Sequence, residues 1–316
     1  MRYTRREAIK LGARAAGASL LFGRSAMDGV AAPAAQGQLM KVIPRTGERI
    51  PGVGLGTANT FMQAARTPDE RAAIREVVRL FTEHGGRFID TCPCYGTSEQ
   101  VLGELAREIG SSGQILWATK ISGARGRDAG MAQMNRSVER LAPGQIFLNQ
   151  VHNLGDWQTQ LPLLRELKQE GRIRYVGITT TSDNSYDEVA RILQSEELDF
   201  VQLDYAIDNR EVEATLFPIA RDRGVATISA LPFGRARLFN RVAGRPVPEL
   251  AAEIGAVTWA QFFLKYLLSH PDMTVIIPGT SDPEHLVDNV GAGLGPMPDE
   301  ATRRRMARIV DALPSA

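Results

Sequence analysis

The chain of 316 residues has almost no excess of charge, with 37 lysines and arginines against 36 acidic residues. It contains no basic block or stripe, and this argues against nucleic acid as a partner. After the first 35 residues it also lacks an apolar run long enough to span a bilayer. Hydrophobic residues still make up 43% of the chain, enough for a large core. These properties are compatible with one large α/β barrel or with two domains.

The first 35 residues have the composition of an export signal. Arg5 and Arg6 are adjacent, a weakly apolar run follows over residues 11–23, and Ala32-Pro33-Ala34 has the small residues of a cleavage site. We therefore predict a twin-arginine-type signal at residues 1–35 that is read by the twin-arginine export machinery, with a periplasmic or secreted product. A disordered basic tail or a weak first helix is the alternative.

Apolar strand patterns alternate with amphipathic helix patterns throughout residues 36–316. A turn around residues 45–48 predicts an N-terminal β-hairpin, and Thr67 followed by Pro68 predicts the start of the first helix. Eight strand–helix units follow in roughly 250 residues, the usual length of a (β/α)8 barrel. We predict an α/β fold of this TIM-barrel class, as a single domain with the hairpin before it and an extra helix after it.

The competing fold is an open, doubly wound sheet. Its dinucleotide-binding fingerprint requires a glycine-rich turn that leads directly from a first strand into a helix. Gly52, Gly54 and Gly56 are regularly spaced, but no helix pattern begins directly after them. No low-complexity linker divides the chain either. We interpret the three glycines as a strand crowded against its neighbours, which favours the closed barrel.

Three successive predicted strands end in ionisable side chains. Asp90 ends the first of them and Tyr95 follows in the next turn, while Lys120 and His152 end the other two. The C-terminal ends of parallel barrel strands meet at one face, where active sites lie. The sequence therefore predicts that these four side chains meet.

The motifs around these residues resemble those of the aldo-keto reductase family. The segment at 88–96 resembles the family motif that holds an aspartate and a tyrosine, and the segments at 118–120 and 150–153 resemble its lysine and histidine motifs. The similarity extends over residues 41–310. It implies reduction of an aldehyde or ketone by hydride from NADP or NAD, with Asp90, Tyr95, Lys120 and His152 as the catalytic residues.

The chemistry of these side chains is consistent with that implication. A phenol such as Tyr95 has an ordinary pKa near 10, too high for easy proton donation at neutral pH. The Lys120 ammonium would stabilise the phenolate, and Asp90 would hold Lys120 by a charge-assisted hydrogen bond. His152 would orient the substrate oxygen.

The resemblance also implies a set of cofactor-binding residues. They are Thr179, Thr180, Gln202, Ile228, Ser229, Leu231, Gly279, Ser281, His285 and Asn289. Five positions depart from the usual pattern. Thr180 replaces an asparagine, and Ala206 follows Tyr205 where the family often has an asparagine. Ile228 stands where an aromatic ring stacks on the nicotinamide, a role that Phe233 could take instead. Gly279 and His285 replace the lysine and arginine that bind the 2′-phosphate of NADP. Backbone amides at the helix start would then replace these cations, and NADP is favoured over NAD only slightly.

Two alternatives to the reductase function stay open. Cys92 and Cys94 lie in the predicted turn between Asp90 and Tyr95. They could serve as packing residues, as a redox pair or as a soft-metal site. Because two thiols alone are too few for structural zinc, no metal site is predicted. The protein could thus be an exported barrel that acts in binding or thiol-redox chemistry. A hydrolase with Asp90 and Asp204 as paired carboxylates is the other alternative.

Overall fold

The computed structural model describes residues 37–62, 65–141 and 143–314, so the predicted signal segment at residues 1–35 lies outside the described residues. Two strands, β1 (Met40–Val42) and β2 (Arg49–Pro51), form an antiparallel hairpin. Eight parallel strands then follow, each hydrogen-bonded to the next in chain order. They are β3 (Leu55–Gly56), β4 (Phe88–Asp90), β5 (Leu116–Ile121), β6 (Ile146–His152), β7 (Ile173–Thr180), β8 (Phe200–Asp204), β9 (Ala226–Ala230) and β10 (Val275–Ile276).

The first and last strands close the sheet into a barrel. Val53 bridges to Ile276 and Gly56 bridges to Gly279, both in parallel pairing. The close approach requires glycine, because a Cβ at Gly56 would lie 2.6 Å from the carbonyl oxygen of Ile277. The predicted (β/α)8 barrel is confirmed, and the glycine-rich segment is one of its crowded strands.

The hairpin covers the N-terminal end of the barrel. Ile43 and Ile50 are fully buried and belong to the same core cluster as Phe88, Phe147 and Phe200. These three aromatic residues lie at or next to the N-terminal residue of their strands, at the end of the barrel opposite the predicted active site. These side chains fill the bottom of the barrel, so a ligand would enter the barrel from the C-terminal face.

Helices surround the barrel and bury their apolar faces against it. They are α1 (Pro68–Glu83), α2 (Ser98–Glu108), α3 (Arg127–Leu141), α4 (Trp157–Gln169), α5 (Tyr186–Ser195), α6 (Glu211–Thr215), α7 (Phe217–Asp222), α8 (Arg237–Arg241), α9 (Leu250–Glu253), α10 (Trp259–Leu268), α11 (Pro283–Gly291) and α12 (Glu300–Asp311). Helix α1 begins as predicted, since Thr67 and Glu70 form a reciprocal capping box. Across the described ranges, the helices are all too short or too polar to cross a membrane.

Two local features differ from the sequence-based expectation. The apolar pattern near residues 211–223 predicts a single helix, whereas the structure divides this segment into α6 and α7 at Leu216. Pro218 causes the break, because it has no N–H to continue the hydrogen-bond ladder of α6. The sequence predicts a long loop between β9 and α10, and in the structure this segment contains the two short helices α8 and α9.

Candidate active site

A buried ion pair lies at the floor of the C-terminal face. The Nζ atom of Lys120 donates to Oδ2 of Asp90 at 2.6 Å and to the carbonyl oxygen of Thr91 at 2.8 Å. The side chains of Lys120 and Asp90 are only 1% and 3% exposed. Burial raises the pKa of the Asp90 carboxyl, and the Lys120 ammonium opposes that rise. The pair fixes the position of the lysine, as predicted from the sequence.

Two glutamines complete the polar layer around this pair. Gln150 donates from Nε2 to Oδ1 of Asp90 at 3.3 Å and to Oε1 of Gln202 at 2.9 Å. The strand register explains the contact, because Lys120 pairs with Gln150 across β5 and β6. All four side chains are buried. Gln202 was predicted to contact the cofactor, whereas Gln150 was not among the predicted site residues.

Tyr95 lies in the turn after β4 and faces the lysine. The centre of its ring is 5.3 Å from Nζ of Lys120. Burial raises the pKa of the Tyr95 phenol above 10, while the Lys120 ammonium acts in the opposite direction. The lysine thus has the predicted effect, but it is smaller than the effect of burial.

His152 completes the group at the end of β6. Its ring is perpendicular to that of Tyr95, with 6.4 Å between the ring centres. Nδ1 of His152 lies 2.8 Å from the hydroxyl oxygen of Ser122. Burial, together with the charge of Lys120, lowers the pKa of His152 to about 4. The imidazole is therefore neutral near pH 7.

These four side chains line one cavity of about 390 Å³ at the C-terminal mouth of the barrel. Four predicted cofactor-binding residues line the same cavity: Thr179, Gln202, Leu231 and Gly279. The cavity also includes residues of the loop after β9, among them Phe233, Arg235 and Phe239. A cavity of this size can hold the reacting ends of a cofactor and a small substrate.

Three predicted cofactor residues take structural positions instead. Ile228 belongs to the core cluster inside the barrel, whereas Phe233 lines the cavity. The hydroxyl of Ser229 donates to the carbonyl oxygen of Tyr205 at 2.8 Å. The hydroxyl of Thr180 accepts from the backbone N–H of Ser182 at 3.1 Å. All three side chains are buried among protein atoms and do not line the cavity.

The remaining three cofactor predictions concern the segment after β10. Ser281 is exposed just before α11, and His285 lies in the first turn of that helix. Asp282 caps the helix, accepting the backbone N–H groups of Glu284 and His285 at 2.8 and 3.3 Å. These amides, expected to bind phosphate, therefore already have an acidic partner. Asn289 is 2% exposed, and its Oδ1 lacks a hydrogen-bond partner among the described residues.

The two cysteines form a disulfide in the turn before Tyr95. Cys92 is buried, whereas Cys94 is exposed. Both sulfur atoms are close to the His152 ring, so the disulfide lies beside a side chain that lines the cavity.

The arrangement does not suit a hydrolase with paired carboxylates. Asp90 is bound to a lysine, and Asp204 is not among the residues that line the cavity. Burial raises the pKa of Asp204 to about 6, and the nearby Asp183 adds to the effect. The two carboxyl groups therefore do not share a substrate-binding space.

Two polar residues of the site, Gln150 and Ser122, were not predicted. Gln150 lies two residues before His152 on β6, and Ser122 lies two residues after Lys120 at the end of β5. Side chains two residues apart on a strand point to the same face. This periodicity was the available signal, since each residue shares a face with a predicted catalytic side chain.

The chain has relatives among known proteins. Residues 52–307 match the model of the aldo/keto reductase family, and the chain belongs to that family. It is 29% identical over 200 residues to the aldo-keto reductase YhdN of Bacillus subtilis (strain 168), covering 59% of each protein. It is 28% identical over 246 residues to pyridoxine 4-dehydrogenase of Escherichia coli (strain K12), covering 71% of this chain and 82% of that enzyme.

The fold has counterparts among solved structures. An aldo-keto reductase from Klebsiella pneumoniae, solved in complex with NADPH, aligns with a TM-score of 0.72 at 21% identity. The alignment covers 86% of this chain and 95% of the Klebsiella protein. At this level of identity, the likeness supports the same fold.

Proposed function

We propose that the protein is an NAD(P)-dependent oxidoreductase that reduces the carbonyl group of a small aldehyde or ketone. The observation that carries the proposal is the meeting of Tyr95, Lys120, Asp90 and His152 in one cavity at the mouth of the barrel. A phenol, a buried ammonium and a neutral imidazole around one space provide a proton donor, a stabilising charge and an orienting group.

In this proposal Tyr95 acts as the general acid. Its phenolic O–H donates a proton to the alkoxide that develops as the carbonyl is reduced. Lys120 lies close enough to stabilise the resulting phenolate. Asp90 acts through Lys120 as a positioning residue, because its ion pair with Nζ keeps the ammonium beside the tyrosine.

His152 would bind and orient the carbonyl oxygen. With the Ser122 hydroxyl donating to Nδ1, the imidazole proton resides on Nε2, and Nε2–H can then donate to the substrate. A neutral imidazole suits this role, since it offers one donor and one acceptor. Ser122 is thus assigned as a positioning residue for the tautomer.

The residues of the cavity fit a nicotinamide dinucleotide at the polar end of the site. The cofactor supplies the hydride. Thr179 and Gln202 would hold the carboxamide of the nicotinamide. Oδ1 of Asn289, which has no hydrogen-bond partner within the described ranges, would accept the amino group of the adenine. We propose NADP as the cofactor because the Klebsiella protein of this fold binds NADPH. Residues 279–289, which were expected to bind the cofactor phosphate, contain no lysine or arginine. We therefore predict that NADH will also be accepted.

Cofactor binding and turnover can be measured separately. Addition of NADPH or NADH should quench the emission of the three tryptophans, and absorbance at the reduced-nicotinamide band should fall with a panel of aldehydes and ketones. The reductase proposal requires both results. Binding without oxidation by any carbonyl would favour a binding protein, and absence of binding would contradict a dinucleotide enzyme.

We also propose export through the twin-arginine pathway, supported by the order of basic, apolar and small residues in 1–35. Replacing Arg5 and Arg6 with lysine should leave full-length protein in the cytoplasm, while the unmodified chain is recovered, shortened, outside it. Cytoplasmic retention of both proteins would contradict the proposal.

A further inference from the structure

Three soft or borderline metal-ligating atoms meet beside the catalytic cavity. They are Sγ of Cys92, Sγ of Cys94 and Nδ1 of His152, and all lie within 4.8 Å of one another. Nδ1 is 3.8 Å from the Cys92 sulfur and 3.6 Å from the Cys94 sulfur. The histidine comes from β6, about 60 positions later in the chain, so sequence spacing could not identify it as a third ligand.

These sulfur–nitrogen distances match those of a tetrahedral zinc site. Zinc–sulfur bonds of about 2.3 Å and zinc–nitrogen bonds of about 2.0–2.1 Å place the sulfur and nitrogen ligands about 3.6 Å apart. The same geometry separates two sulfur ligands by about 3.8 Å. The Nδ1 atom of the imidazole is thus already at ligand distance, and a bound cation would displace the Ser122 hydroxyl from it. The two sulfur atoms can move apart to the distance between two sulfur ligands only when the disulfide is reduced.

The surroundings also favour thiolate ligands. The backbone N–H of Cys94 donates to the Cys92 sulfur at 3.2 Å, and this contact would stabilise negative charge on that atom. Cys94 is exposed, so a reductant and a metal ion can reach the pair from solvent. Three protein ligands leave one coordination position for water, which is the usual composition of an open zinc site.

We propose that Cys92, Cys94 and His152 form a redox-gated site for one zinc-like divalent cation, occupied in the dithiol state and lost in the disulfide state. Reduction by a phosphine and one water converts the disulfide to two thiols and the phosphine to its oxide. Binding of the cation then releases the two thiol protons to solvent. This inference does not rest on the reductase function, because it concerns only the three ligand atoms.

The test is a titration of the full chain with Co²⁺, which reports thiolate ligation by charge-transfer absorption. Phosphine-reduced protein, kept free of oxygen, should bind one Co²⁺ with that absorption, and Zn²⁺ should displace it. The untreated disulfide form should show no thiolate absorption. Failure of the reduced protein to bind one ion, or equal binding by both forms, would overturn the proposal.

Variants identify the ligands. Cys94→Ser and His152→Gln should each weaken Co²⁺ binding at least tenfold, whereas His84→Gln, at an exposed histidine at the end of α1, should leave it unchanged. Cys94 is exposed, so its substitution should preserve the fold, which circular dichroism can verify. Binding by either ligand variant with the affinity of the unsubstituted protein would contradict the assignment.

Discussion

Nζ of Lys120 lies 2.6 Å from Oδ2 of Asp90, and the two side chains are almost completely buried. The residues belong to neighbouring strands, with Asp90 paired to Ala118 in the β4–β5 register. Lys120 therefore extends two residues beyond that pair toward the mouth of the barrel. The aspartate holds the ammonium there, 5.3 Å from the ring centre of Tyr95.

Removal of the lysine charge should destabilise the fold in a pH-dependent manner. In Lys120→Met, Asp90 remains buried without a cation, at a cost of roughly 3–5 kcal/mol at pH 8. Burial raises the pKa of the Asp90 carboxyl, and in this variant the ammonium no longer opposes that rise, so the folded variant retains a proton that the unfolded chain releases near pH 4. The variant should therefore lose stability as pH rises. Its deficit in free energy of unfolding, relative to the unsubstituted protein, should be largest at pH 8 and smaller at pH 5.

Urea denaturation of the two proteins at both pH values measures this deficit. Arg304→Met is a suitable control, because it removes an exposed ion pair with Glu300 on α12. Such surface pairs contribute little to stability, so the control should unfold with the unsubstituted protein. A deficit of Lys120→Met that is constant with pH would contradict the account of the buried pair.

Protonation of His152 should destabilise the folded protein at acid pH. Its pKa of about 4 lies below the ordinary value of 6.5, so the unfolded chain binds a proton at a higher pH than the folded protein does. Stability should thus be lost as pH falls from about 6.5 to about 4. His152→Gln should lack this part of the pH dependence.

The measurement is the difference in urea midpoint between the unsubstituted protein and His152→Gln at pH 7 and pH 4.5. Chemical shifts of the His152 ring give the pKa directly. If the ring titrates near 6.5, burial and Lys120 do not keep the imidazole neutral, and the orienting role proposed for it loses its basis.

Ser122 should influence turnover through the histidine. Ser122→Ala removes the hydroxyl at 2.8 Å from Nδ1, and the loss of one hydrogen bond of about 0.5–1.5 kcal/mol should lower kcat/KM by about two- to tenfold. Cofactor affinity should not change. Ser195→Ala, at the exposed end of α5, is the matched control and should retain full turnover. Equal kinetics in both variants would show that Ser122 does not position His152.

The fold could be predicted from the sequence because the signals that indicate its helices and strands are local. Helix caps such as Thr67 and the alternation of strand and helix patterns lie within short segments, and eight such units favour a closed barrel. The break at Leu216 was missed although Pro218 was visible, since the apolar pattern continues through it. Local periodicity cannot show where two half-helices pack separately.

The meeting of Asp90, Tyr95, Lys120 and His152 in one cavity was also predictable, because each residue lies near the C-terminal end of a barrel strand or in the turn after it. Contacts across strands were harder to predict. Gln150 reaches Asp90 only through the register of β5 and β6, and Cys94 meets His152 only through the closure of the turn before Tyr95. These partners are about 60 residues apart in the chain, and no local pattern marks them.

The segment at residues 279–289, expected to bind the cofactor phosphate, predicts weak discrimination between NADPH and NADH. His285 lies in the first turn of α11, where Asp282 already accepts the backbone amides, and residues 279–289 contain no lysine or arginine. His285→Arg supplies a cation that can pair with a 2′-phosphate. We expect the ratio of NADPH to NADH affinity to rise several-fold, with NADH affinity unchanged. An equal effect on both cofactors would place the 2′-phosphate away from α11.

The central claim is that Tyr95 donates the proton during carbonyl reduction, and a pair of tyrosine variants tests it most directly. Tyr95→Phe should lower kcat by about 10²–10⁴-fold while NADPH still quenches tryptophan emission normally. Tyr175→Phe, which removes a hydroxyl bonded to Glu48 at the opposite end of the barrel, should keep its kcat. Full turnover in Tyr95→Phe, with cofactor binding intact, would contradict the account.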